Sequence, residues 1–539
     1  PHERHSRYYA AYLAGQEERL KGPDQALALA EIEREIDNLR AAWEWATAHR
    51  SWREIGLALD GLFRFYETRS RYQEGRAAFE TATDALGAPE AGDPLLLGRL
   101  LARLGRLTHH TDDLERAEAL LEQGLATLRT QDAPAEVGWA LLWLAETVRR
   151  QRARARAGSL LREALAIGRE AGDSELEAGS LASLAGWTAA GEAYEEARAL
   201  YRRSLALYRS TGNRRGMADA FYGLGHIATY LREWDASKRL YEESMAIREQ
   251  LGDRRGVAWC LHFMAENARG QSRYAEARRL YEGSLAIHRA LGDPLRTGNA
   301  LERMSTVVVW LGDMEALEEI NHEIHIHALR LGNPFHIACS LEGLGEVAQL
   351  KGEYAQARQY YEESLAIGYE IEHPRVLAWS LMGLGDAEYA TGAAEAAQAR
   401  YEESLAICRE HEVEDGIPLS LVRLGDAARA RGDHTAAKRY LVEALQFEMR
   451  RGFRGAIAGV LSHMVPLLAD QARPQRALVL AAYLLQQPET REPARGQVQQ
   501  QFEELAAGLP PDRVAAIQQA CSARTLDEMC EMALLEEEG

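Results

Sequence analysis

The sequence predicts an all-α fold, a right-handed superhelix of about ten to twelve forty-residue helical hairpins with helical caps. Three observations predict it. Tyr201, Tyr241, Tyr281, Tyr361 and Tyr401 stand forty residues, or a multiple of forty, apart. Ser204, Ser244, Ser284, Ser364 and Ser404 follow in the same register, as do Gly105, Gly225, Gly345, Gly385 and Gly425. Finally, Gly-Asp or Gly-Asn pairs at 172–173, 212–213, 252–253, 292–293 and 332–333 punctuate each unit. A fixed period of this size marks a repeat whose units cannot bury their own apolar faces and must stack on neighbours.

Composition agrees with a helical chain. Of 539 residues, 46% are hydrophobic and 27% charged, with 15 Pro and 9 Phe. The net charge of −19 disfavours a binder of nucleic-acid backbones. No run is apolar enough to cross a membrane. Five cysteines without CxxC spacing predict reduced thiols and a cytoplasmic location. The chain starts at Pro1 rather than Met, which suggests an excised fragment.

The organisation expected is an N-terminal helical linker or capping region at 1–78, a repeat array at 79–480 and a C-terminal helical cap at 481–539. In the first region Ile32, Ile36, Leu39, Trp43 and Ala46 recur at three- and four-residue steps, one helical stripe, after a turn at Gly22, Pro23 and Asp24. Within the array each unit divides into two helices. Gly252 suits the left-handed residue that ends the first, and Asp253 the N-cap of the next. Pro294 and Pro334 fall at first helical positions. Gly191, Gly312, Gly352, Gly392 and Gly432 mark the turn within a unit.

Regularity weakens in three places. The run 148–157, rich in arginine and including Arg152, reads as a solvated charge run in a turn. The stretch 320–330 replaces the tyrosine phrase, and Pro466 is expected to kink its helix. Beyond 481 Pro488, Pro493, Pro510 and Pro511 separate short capping helices, and the acidic end EEEG is expected to fray.

In the unit around Gly225, Leu224-Gly225, the small residue Ser237, Tyr241 and Ser244 resemble the signature of the tetratricopeptide repeat, with a period of forty rather than the usual thirty-four. The segment 35–43 (Glu-Ile-Asp-Asn-Leu-Arg-Ala-Ala-Trp), after Arg4, Tyr8 and Tyr9, is similar to the segment joining the ATPase core to the repeats in bacterial STAND regulators of the LuxR-type and AfsR/SARP-type. The stretch 502–534, with Thr525-Leu526-Asp527-Glu528, resembles how such arrays finish. This resemblance implies a sensor arm that binds an inducer or a protein partner and releases an autoinhibited nucleotide-binding core, expected upstream of this chain. No GxxxxGK[ST] motif is present to form that core.

At about 100° per residue, Phe221, Leu224 and Ala228 share the packing side of their helix, while Asp219, Tyr222, His226 and Thr229 share the opposite side. In tetratricopeptide arrays that second side lines a concave groove. The same register selects Trp139, Glu146, Arg149, Tyr222, His226, Trp259, His262, Glu266, Arg269, Glu346, Trp379, Asp386, Tyr389, Asp426 and Arg429 as candidate groove residues. It also places Gly179 and Gly186 there. Acid and Arg stand three residues apart in Glu146/Arg149, Glu266/Arg269 and Asp426/Arg429, so each is expected to pair along its helix. Stacking and charge-assisted bonds from such a face suit a peptide, a protein segment or a small-molecule inducer. No nucleophile motif appears, so no enzyme activity and no cofactor is expected. His322, His325, His327, His336 and Cys339 lack a complete metal-ligand pattern, and His109-His110 beside Asp112-Asp113 reads as a turn. The competing reading is a free-standing protein-interaction scaffold.

Overall fold

The computed structural model describes residues 2–87, 92–111, 113–151, 153–487, 490 and 494–534. Pro1, Asp112, Arg152, Pro488, Pro493 and the EEEG end lie outside the described residues. The described residues form 28 helices and no strand. They group into two compact units, Pro1–Ala300 and Leu301–Gly539. Each unit is an α-solenoid of antiparallel helical hairpins, such as Arg214–Tyr230 with Trp234–Leu251 in the first and Pro374–Ala390 with Ala394–Glu410 in the second. No described helix is long and apolar enough to cross a membrane. All five cysteines are free thiols.

Local rules set the helix ends. Gly172, Gly212, Gly252, Gly292 and Gly332 adopt positive φ, where the absence of a Cβ removes the strain. The next residue caps the following helix: Asp253 Oδ1 accepts the Gly256 N–H at 2.9 Å, and Asn213 Oδ1 accepts that of Gly216 at 2.9 Å. The turn inside a unit departs from expectation at Gly191. There Glu192 takes the left-handed position, at φ 64°, as Arg232 and Ser272 do in the next two units. The turn geometry is fixed by the forty-residue register, so non-glycine residues are held in the left-handed region.

The conserved phase of the repeat has a packing cause. Ser204, Ser244, Ser284, Ser364 and Ser404 are fully buried and donate to the carbonyls of Ala178, Ala218, Ala258, Ala338 and Ala378, each 26 residues upstream, at 2.8–3.0 Å. Each bond ties the second helix of a hairpin to the first. The tyrosine ring three residues before lies over a glycine of that first helix: a Cβ on Gly225 would meet Tyr241 Cε1 at 2.9 Å, and one on Gly345 would meet Tyr361 Cζ at 2.7 Å. The next hairpin adds a second glycine against the same ring, Gly383 against Tyr361 and Gly223 against Tyr201. Bulky rings in glycine notches let adjacent hairpins approach closely.

The irregular stretches stay helical. Asn321 takes the tyrosine slot, donating to Leu317 O at 2.9 Å and Ser305 Oγ at 3.2 Å. The helix Arg454–Asp470 runs through Pro466 without ending there. The arginine run is not idle surface charge. Arg154 donates to the Ala190 and Trp187 carbonyls and covers the Trp187 ring, while Arg156 pairs with Glu118 and Glu122 of the preceding hairpin.

Gly345→Ala is expected to lower stability by about 1–3 kcal/mol, because overpacking against Tyr361 outweighs the helix propensity gained. Gly298→Ala, where a Cβ meets nothing within 4 Å, is expected to leave stability unchanged or raise it by up to about 1 kcal/mol. Thermal melts followed by circular dichroism separate the two.

Candidate functional site: a walled cavity in the first unit

The inner sides of the helices Pro94–His109, Pro134–Arg150, Ser174–Ala189, Arg214–Tyr230 and Arg254–Gly270 face a cavity of about 1070 Å³. Its remaining wall comes from the N-terminal helices, through Asp60, Phe63, Arg64 and Glu67 and the segments around Gln25 and Ser70. The wall is attached by specific bonds. Arg64 pairs with Glu175 at 2.7 Å and Arg215 with Glu67 at 2.6 Å. Ser70 Oγ donates to Asp253 at 2.8 Å, and the Arg215 N–H donates to Gln25 at 3.1 Å. Arg255 lies over the Tyr72 ring at 5.1 Å. These contacts join residues up to 190 positions apart and close the unit around its interior.

The segment 35–43 anchors that wall. Glu35 accepts from the Tyr9 hydroxyl at 2.8 Å and from Asn38 at 2.9 Å, at the break between two helices. Leu39 and Trp43 are buried, and Trp43 Nε1 donates to the Ala78 carbonyl at 3.0 Å.

Charge inside the cavity is organised into arginine and carboxylate networks. Asp60 binds Arg99 and Arg103, both at 2.6 Å, and Arg103 continues to Glu136. Glu67 binds Arg106 at 2.9 Å as well as Arg215, and Arg106 continues to Glu146. Burial alone would raise the Asp60 and Glu67 carboxyls. The adjacent guanidiniums outweigh it, Arg103 and Arg99 at Asp60 and Arg215 and Arg106 at Glu67, and hold each at about 2. Aromatic side chains alternate with these networks: Phe63, Trp139, Trp143, Tyr201, Tyr208, Tyr222 and Trp259.

Of the groove residues expected from the sequence, Trp139, Glu146, Arg149, Tyr222 and Trp259 line this cavity. His226, His262, Glu266 and Arg269 belong to the same unit but not to the cavity lining. His226 packs against Phe263 with ring centres 5.1 Å apart and His262 against Tyr281 at 5.4 Å, while Glu266 pairs with Arg269 at 2.6 Å. Glu346, Trp379, Asp386, Tyr389, Asp426 and Arg429 lie in the second unit. Glu346 is exposed, and Arg375 covers Trp379 at 5.0 Å. Asp386 accepts from Arg423 at 2.8 and 2.9 Å and from the Tyr401 hydroxyl at 2.7 Å, and Tyr389 packs at the edge of the core.

Two of the three expected pairs along a helix do not form. Glu146 pairs with Arg106 instead of Arg149. Asp426 faces His463 at 2.8 Å, and Arg429 reaches Asp470 at 3.0 Å. Neighbouring inner helices present a polar or charged partner at the same height, and that partner wins over the i+3 neighbour. The N-terminal wall and Tyr208 escaped the sequence reading, since the wall lies outside the repeat register. The signal available for the tyrosines was the pair Gly179 and Gly186 in the inward phase. His325 Nδ1 sits 2.9 Å from Ser340 Oγ, and no metal-holding group of three His, Cys, Asp or Glu occurs among the described residues. His109 is buried at a helix end, with Nδ1 3.0 Å from Thr147 Oγ1.

Residues 216–290, 296–370 and 336–410 match the tetratricopeptide repeat model, and the hairpins within those residues are tetratricopeptide repeats. The chain is similar in structure to apo RapI, with a TM-score of 0.52 and 12% identity over 66% of this chain and 98% of RapI. It is also similar to the apo quorum sensor NprR from B. thuringiensis (TM-score 0.47, 11% identity, 65% and 97% covered). A further likeness is to a Signal Transduction ATPase with Numerous Domains protein with a tetratricopeptide repeat sensor from Pyrococcus horikoshii (TM-score 0.43, 11% identity, 83% and 67% covered). No curated protein matches the chain in sequence.

Burial pushes His109 down to about 3, helped by Arg106, so the folded protein leaves it neutral where the unfolded chain, at about 6.5, takes up a proton. Stability is therefore expected to fall as pH drops from about 6.5 towards 3, by up to about 1.4 kcal/mol per pH unit from this group. His109→Gln is expected to flatten that slope between pH 6.5 and 4.5 in urea melts; an unchanged slope would contradict the assignment.

Proposed function

We propose that this chain is the non-catalytic sensor region of a cytoplasmic bacterial regulator of the STAND type, which binds an inducer or a peptide or protein partner on its concave face. One observation carries the reading. The N-terminal region that carries the linker-like segment 35–43 also supplies a wall of the cavity, fastened to the repeats by Arg64/Glu175, Glu67/Arg215 and Ser70/Asp253. A ligand in the cavity would touch the repeats and that wall together, so binding would be coupled to the element joined to an upstream core. At about 1070 Å³ the cavity is at the upper end of the range for compact ligands.

A second reading, a free-standing interaction scaffold, draws support from the second unit. Ile326, Leu329, Leu350 and Tyr369 there are all about half exposed, as suits a docking surface for a folded partner.

Fractionated extract of the source cells, screened by thermal shift on the full chain, tests the proposal. A fraction holding inducer at a hundred times its Kd is expected to stabilise the protein by about 2.7 kcal/mol, a rise in Tm of roughly 2–4 °C. Trp259→Ala, which strips one aromatic wall, is expected to abolish that rise. A rise equal in the variant, or no active fraction, speaks against a ligand in this cavity.

A further inference from the structure

The repeat tyrosine hydroxyl has a partner from its own protein in four of five units. Tyr281 donates to Glu266 and Tyr401 donates to Asp386 at 2.7 Å, each carboxylate standing 15 residues before its tyrosine. Tyr361 donates to Gln349 at 3.1 Å, and the Tyr241 hydroxyl lies 3.4 Å from that of Thr229. In the unit of Tyr201 the residue 15 positions earlier is Gly186, which has no side chain to accept.

The consequence is an opening in the cavity wall. A Cβ on Gly186 would stand 3.3 Å from the Tyr201 hydroxyl, and one on Gly179 would stand 3.4 Å from the Tyr208 hydroxyl. The two glycines on the inner side of the helix Ser174–Ala189 thus expose both hydroxyls to the cavity. Neither hydroxyl has a hydrogen-bond partner among the described residues, although Tyr208 is only 8% exposed. Burial pushes Tyr201 up to about 12 and raises Tyr208 further, so both keep their protons and donate.

A cation stands near Tyr201. Arg149 lines the same cavity, and its charge acts on the Tyr201 hydroxyl. Every other arginine of the lining has an acidic partner: Arg64, Arg103, Arg106, Arg215, Arg248 and Arg255. Arg149 forms no ion pair among the described residues: Arg106 holds Glu146, on which Arg149 acts only at longer range.

The geometry points to an anion site in which a carboxylate or phosphate group of the ligand sits against Arg149 and the Tyr201 hydroxyl, in the place that Glu266 and Asp386 fill in sister repeats; the Tyr208 hydroxyl, two helical turns or roughly 10 Å along, is left to meet a second polar group of the same ligand. The inference rests on the cavity being a ligand site and specifies the charge that site selects. One guanidinium and one phenol donor suit the acceptor oxygens of such a group. The flanking Trp139 and Tyr222 rings suit an apolar or aromatic part of the same ligand.

Titration calorimetry of the full chain with N-acetyl-tryptophan, its uncharged amide and phenyl phosphate tests this. Binding of at least one anion without binding of the amide is expected, and the tighter anion shows whether a carboxylate or a phosphate ester is the source. Arg149→Gln is expected to weaken that binding about tenfold or more. Gly186→Glu is expected to abolish it with no loss of Tm, since the new carboxylate takes the Tyr201 hydroxyl as Glu266 takes that of Tyr281. Tyr201→Phe is expected to weaken binding at unchanged Tm, whereas Tyr281→Phe, which deletes an internal bond, lowers Tm. Equal binding of the amide, no binding of either anion, or binding untouched by both Arg149→Gln and Gly186→Glu overturns the inference. If the extract fraction still acts through Trp259 while Gly186→Glu leaves it unaffected, the cavity reading stands and the anion site falls. If no fraction acts, the cavity reading fails on its own test.

Discussion

A serine hydroxyl bonded to a carbonyl 26 residues upstream, beneath a tyrosine ring seated on glycine, is the joint on which the rest of this chain depends. The bond needs no competing partner, because the serine is shielded from water and the carbonyl has a second lone pair beyond its helical hydrogen bond. Its repetition fixes the distance and rotation between the two helices of a hairpin. The second glycine, from the following hairpin, fixes the stacking of one hairpin on the next. Since these contacts occupy one side of each inner helix, the opposite side is left free to vary.

That freedom explains why the cavity of the first unit is so polar. Arg103 is buried and Arg106 mostly so, which is tolerable only because each meets two carboxylates. The networks run between inner helices and across to the N-terminal wall, so the charges that line the cavity also hold it closed. Removing one member would strand its partner in a poorly solvated place, and the cavity is in this sense a consequence of the pairing. Among arginines that are otherwise paired, a single guanidinium without an ion pair and two unmatched hydroxyls carry disproportionate weight for recognition.

Much of the architecture was legible in the sequence. The forty-residue register, the caps at Gly252-Asp253 and the inward phase of Asp219 and Tyr222 follow from local rules that one chain segment obeys by itself. What was not legible depended on neighbours. The partner of Glu146 is chosen by the height of Arg106 on an adjacent helix, and that height cannot be read from spacing within one helix. Glu192, Arg232 and Ser272 occupy a left-handed turn position that sequence rules assign to glycine, because the stacked hairpins impose the turn. The N-terminal wall meets residues near 175, 215 and 253 only because the first unit curves back on itself. Gly186 was visible as a gap in the inward phase. Its meaning emerged only when Tyr281 and Tyr401 showed what the missing side chain would have done.

The most direct measurement is the anomalous scattering of bromine in crystals of the full chain soaked with 4-bromobenzoate, whose carboxylate reports the anion position and whose ring bromine, inert to thiols and imidazoles, locates it. The account predicts a bromine peak in the cavity of the first unit, with the carboxylate within hydrogen-bond reach of Arg149 and the Tyr201 hydroxyl, in the space that Gly186 leaves open. A peak confined to paired arginines such as Arg103 or Arg215, or none in the cavity, would contradict it.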